Sequence, residues 1–75
     1  MLNQQARQQV LITRIDNLEG IVASNLAMAN RYQERGETEQ ATAYLENNER
    51  IRKIIAECRE ELAQIPAQVA QVEQP

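Results

Sequence analysis

Apolar residues recur along this chain at alternating steps of three and four. One series runs Leu11, Ile15, Leu18, Val22, Asn25, Ala29, Tyr32, and a second runs Ala41, Tyr44, Asn48, Ile51, Ile55, Cys58, Leu62, Ile65. This spacing puts each series on one stripe of an α-helix, the heptad seam of a coiled coil. Ala, Gln, Glu, Arg and Leu, all good helix formers, dominate the positions around the seam, and no proline falls between residues 3 and 65. Between the two series lies Arg35-Gly36-Glu37-Thr38-Glu39. Gly36 suits the left-handed conformation just past a helix C-terminus, Thr38 the cap of a new helix, and Glu39 its first turn. The pattern predicts two helices, at about 3–35 and 38–65, joined by a tight turn.

Folding the chain at Gly36-Glu37 brings seam residues together in pairs whose numbers sum to 73. Val22 then meets Ile51, Leu18 meets Ile55, Ile15 meets Cys58 and Leu11 meets Leu62. Next to the turn each Tyr meets an Ala, Tyr32 with Ala41 and Tyr44 with Ala29. The two lapses in the apolar series, Asn25 and Asn48, fall in one layer. Agreement between two separately phased patterns predicts an all-α fold, an antiparallel two-helix hairpin with a heptad seam. Gly20 lies inside the first helix at the outermost heptad position, so one continuous helix, straight or bent there and perturbed by about 0.8–1.0 kcal/mol relative to Ala, is expected, with a break into three helices as the lesser reading. Pro66 disfavours helix at the residue before it. The hairpin is therefore expected to occupy residues 1–65. Residues 66–75 form a Gln-rich tail, read either as a kinked extension that carries the seam on through Val69 and Val72 or as disordered.

A polar residue in a heptad seam lowers stability but penalises misaligned pairings, because a slipped amide faces an apolar layer without a partner. Asn25 and Asn48 are therefore the candidates for specifying register and oligomeric state. Large apolar residues also stand beside the seam, where an isolated hairpin has no use for them: Ile12, Ile21, Leu26, Met28, Leu45 and Ile54. These are the candidate dimer-interface residues. Aligning Arg14 with Arg59 and Ile21 with Arg52 makes one edge basic and apolar. Aligning Ile12 with Glu61 and Glu19 with Ile54 makes the other acidic and apolar, so copies are expected to pair through complementary charge. Below about 70–80 residues a single core rarely supplies more than about 3–5 kcal/mol. A chain of 75 residues is thus expected to dimerise into a four-helix bundle.

Composition narrows the function classes. There is no His, Trp or Phe, one Cys and two Tyr, with a formal net charge of −3. A single Cys makes no internal disulfide, and without His neither a structural zinc site nor the commonest general base is available. Catalytic residues, cofactors and metals are accordingly expected to be absent. The run Arg50-Ile51-Arg52-Lys53 is the one basic cluster and the candidate nucleic-acid contact, but helix-surface pairing with Glu46, Glu49 and Glu57 accounts for most of it. Cys58, on the seam, is expected to be a small buried hydrophobe. The apolar runs are too short for a membrane span, and the first residues lack the pattern of a secretory signal. With a free thiol, this points to the cytoplasm.

The stretch from Asn25 to Ile51 resembles one tetratricopeptide repeat. Tyr32, Gly36, Ala41 and Leu45 fall at the spacings of that motif's Tyr, turn Gly, Ala and large apolar residue, and Met28-Ala29 match its Leu-Gly pair. Asn25, Asn48 and Lys53 depart from it, no second copy follows, and the resemblance implies a similar helical turn without a peptide-binding groove. In shape the expected dimer also resembles the small Rop-like RNA-binding hairpins of plasmids, with no shared motif. The expected function is that of a non-enzymatic small helical interaction protein: a self-associating regulator, adaptor or assembly subunit whose partners are itself and another protein. The alternative is a Rop-like RNA- or DNA-binding hairpin dimer.

Overall fold

The computed structural model describes residues 3–65 and consists of two α-helices, α1 (Gln4–Glu34) and α2 (Thr38–Ala63), packed antiparallel along their length. The tail from Pro66 onward, including Val69 and Val72, lies outside the described residues. Helix α1 is capped by Asn3, whose side-chain Oδ1 accepts a hydrogen bond from the Ala6 N–H at 2.7 Å and so satisfies one of the orphan donors of the first turn. Its 31 residues span about 46 Å at about 1.5 Å per residue, against 26 residues in α2.

The turn is a Schellman motif. Gly36 takes φ +77°, the left-handed region in which glycine meets no Cβ penalty. The Gly36 N–H donates to the Gln33 carbonyl at 3.0 Å and the Glu37 N–H to the Tyr32 carbonyl at 2.8 Å, closing the C-terminus of α1. The cap of α2 differs from expectation: Glu37, not Thr38, precedes the helix, and its side chain makes no capping hydrogen bond. The three-residue link Arg35-Gly36-Glu37 leaves Glu37 as the one cap position after Gly36. The Glu37 carboxylate turns instead to Arg35 at 3.2 Å, while the Thr38 hydroxyl faces the Gly36 carbonyl at 3.4 Å.

The seam is the core. Leu11, Ile15, Ile51, Ile55 and Cys58 are buried and in mutual contact, with Leu18, Val22, Leu62 and Ile65 half-buried against them. Every seam position from Leu11 to Ile65 is buried or half-buried, as the three-four spacing requires. At the turn end Ala29 and Ala41 are almost fully buried, each 1% exposed. The Tyr32 and Tyr44 rings stack at a centroid distance of 5.7 Å, and the Arg35 guanidinium lies 4.9 Å from the centre of the Tyr32 ring.

Helix α1 continues through Gly20 without a break. A Cβ placed there meets nothing within 4 Å, so the glycine serves no close approach. Gly20→Ala is therefore expected to stabilise the fold by about 0.8–1.0 kcal/mol, read from the urea midpoint at unchanged m value. A destabilising effect would mean that the helix needs to bend at this point.

Candidate interaction surface

A two-helix hairpin buries one stripe of each helix and leaves the rest in water. On both sides of the seam lies a flank of residues at seven-residue spacing. On the first flank Ile12, Glu19 and Leu26 of α1 run beside Leu45, Arg52 and Arg59 of α2. On the second, Arg7, Arg14, Ile21 and Met28 run beside Asn47, Ile54 and Glu61.

Two ion pairs establish this alignment. Arg59 donates to the Glu19 carboxylate across the first flank, and Arg7 donates to Glu61 across the second. A groove lined by Ile12, Glu19 and Arg59, and a second lined by Glu19, Arg52 and Arg59, place the same side chains together. This corrects the expected edges. Arg59 lies beside Glu19, not beside Arg14, and the charges answer each other within one chain. The physical reason is the antiparallel turn: reversing one helix brings together the positions that follow the seam residues on both helices, whereas the expected alignment crossed one flank with the other. Neither edge is uniformly basic or acidic.

The helix-surface pairs expected around the basic run are also not formed. Among the described residues the ion pairs are Arg7–Glu61, Arg59–Glu19 and Arg35–Glu37, and Arg50, Arg52 and Lys53 join none of them. Exposed pairs in water contribute little beyond the side-chain entropy they cost. At about 100° per residue Arg50 and Arg52 stand about 160° apart around α2, so the run presents no single basic face.

The candidate interface residues divide by depth. Met28 and Ile54 are half-buried, with Ile54 packed on the core. Ile12, Ile21, Leu26 and Leu45 remain 44%, 46%, 43% and 39% exposed, and Val10, which sequence reasoning missed because it lies off both flanks, is 53% exposed. Ile12, Leu26 and Leu45 share the first flank, and Ile21 stands on the second.

Asn25 and Asn48 meet as expected. The Asn25 Nδ2 donates to the Asn48 Oδ1 at 3.0 Å, and the Asn48 Nδ2 donates to the Val22 backbone carbonyl at 3.1 Å. Asn48 has no solvent exposure and Asn25 is half-buried, so the two amides are unequal. Asn48 depends on the partner helix for both of its hydrogen bonds, and Asn25 retains access to water. Sliding one helix by a heptad places Asn48 against Leu18 or Tyr32 and leaves its amide without a partner, at a cost of about 1–3 kcal/mol.

Cys58 is buried, 5% exposed, at its expected seam position. Among the described residues no three His, Cys, Asp or Glu side chains are grouped to hold a metal ion, and no helix is long and apolar enough to cross a membrane. Compared with models of protein families, with curated proteins and with solved structures, the chain matches none.

Proposed function

We propose that this chain is a non-enzymatic interaction protein that self-associates, its hairpin dimerising into a four-helix bundle and serving in the cytoplasm as a regulator, adaptor or assembly subunit that binds another protein. The observation that carries this reading is the exposure of Ile12, Ile21, Leu26 and Leu45 beside a core one layer deep. Large apolar side chains aligned along a helix flank, rather than scattered singly, mark an interaction surface. A hairpin of this size also gains much of its missing stability from a second copy.

Association makes folding depend on concentration, since a partner that binds only the folded chain shifts the equilibrium by mass action. The midpoint of thermal unfolding, followed by circular dichroism, is expected to rise by several degrees for each tenfold increase in protein concentration. A midpoint constant from micromolar to millimolar would contradict self-association.

A further inference from the structure

We infer that copies of this chain associate through the first flank, with the two turns at the same end of the bundle. The inference rests on the self-association proposed above and assigns its surface and geometry. Three of the four exposed apolar residues beside the seam, Ile12, Leu26 and Leu45, lie on this flank, against Ile21 alone on the other. By heptad position the flank reads in three layers, Ile12 with Arg59, Glu19 with Arg52, and Leu26 with Leu45 nearest the turn, with the Arg59 guanidinium reaching down to the Glu19 carboxylate. The face is two helices wide and about 39 Å long where they overlap. It offers roughly 700 Å² per copy, close to the roughly 800 Å² per partner of a standard stable interface.

Charge selects the direction. Two faces of this kind stack by a two-fold axis that runs either along the hairpin or across it. With the axis along the hairpin, α1 of one copy lies over α2 of the other. Leu26 and Leu45 of both copies then close a four-leucine layer, each Glu19 faces an Arg52, and each Ile12 lies on the aliphatic stem of an Arg59. With the axis across the hairpin through the middle layer, Glu19 faces Glu19, Arg52 faces Arg52, and Leu45 meets the charged end of Arg59. The first arrangement places each Glu19, which already accepts from Arg59 of its own chain, against the other copy's Arg52 as well, and the second opposes like charges. Arg52 is available for the new pair, because it forms no ion pair among the described residues.

Two measurements test this. In the first, Gln40→Cys in a Cys58→Ala background carries a spin label near the turn, and pulsed dipolar spectroscopy reads the distance between copies. A separation below about 30 Å is expected, whereas turns at opposite ends give about 50 Å. In the second, Leu26→Glu is expected to raise the dimer dissociation constant at least about a hundredfold, since each dimer buries two copies of that leucine. Ile21→Glu is expected to change it less than about threefold. Turn labels about 50 Å apart, or a dimer abolished by Ile21→Glu and unaffected by Leu26→Glu, would overturn the assigned geometry and leave self-association standing. An unsubstituted chain that stays monomeric at every concentration would overturn both.

Discussion

Replacing Ile55 by Ala is expected to cost about 2–5 kcal/mol, enough to unfold most of the protein at micromolar concentration. Ile55 is 5% exposed and sits mid-seam, within a cluster that includes Leu11, Ile15, Ile51 and Cys58. Its removal leaves a void that two helices joined by a tight turn have little freedom to close, and the loss of transfer energy adds to the cavity term. In a large domain such a substitution lowers the melting temperature. Here the whole core is a single seam, and its total contribution is of the same order as the expected loss. Helicity at 222 nm is the measurement. A cooperative transition with less than about 1 kcal/mol lost would show that Ile55 is not at the centre of the core.

The second large effect lies in the Asn layer, and its sign depends on which amide is removed. Asn25→Leu strands the fully buried Asn48 Oδ1 and is expected to destabilise by about 1–3 kcal/mol, offset in part by the added apolar surface. Asn48→Leu leaves only a half-buried amide that can turn to water, so it is expected to be close to neutral or mildly stabilising. The double substitution removes both polar groups from the layer. It is expected to raise the melting temperature by several degrees while allowing more than one oligomeric species, because nothing then penalises helix exchange between copies. Denaturant midpoints for the four proteins give the coupling energy, and size-exclusion profiles report the number of species. A double variant that is less stable and still a single species would show that the layer stabilises the fold without selecting it.

The hairpin is written into the sequence with unusual redundancy. The three-four spacing names the seam residues, Gly36 names the turn, and the pairing of Asn25 with Asn48 follows from counting outward from that turn. Each of these survives because it depends on helix period and chain connectivity alone, which tolerate no alternative once two seams must meet. The flanks were less legible. Which side of α2 a side chain occupies depends on the sense in which the reversed helix presents its surface, and a numerical register alone led to the crossed alignment of Arg14 with Arg59. The cap of α2 falls at Glu37 rather than Thr38 for a local reason: the Schellman closure uses the Glu37 N–H for its own hydrogen bond to the Tyr32 carbonyl and leaves Thr38 inside the helix. The stacking of Tyr32 on Tyr44 also escaped the register argument, which paired each Tyr with an Ala. Long aromatic side chains lean across layers, and the small residues at 29 and 41 are what let them do so.

These features converge on a chain whose exposed flanks carry the apolar surface that its short core lacks. Sedimentation equilibrium of the full chain, from about one to several hundred micromolar, tests this most directly. The mass is expected to rise to twice the 8.6 kDa of one chain, with helical content rising alongside it. A fully helical species that holds the mass of one chain across the whole range would contradict it.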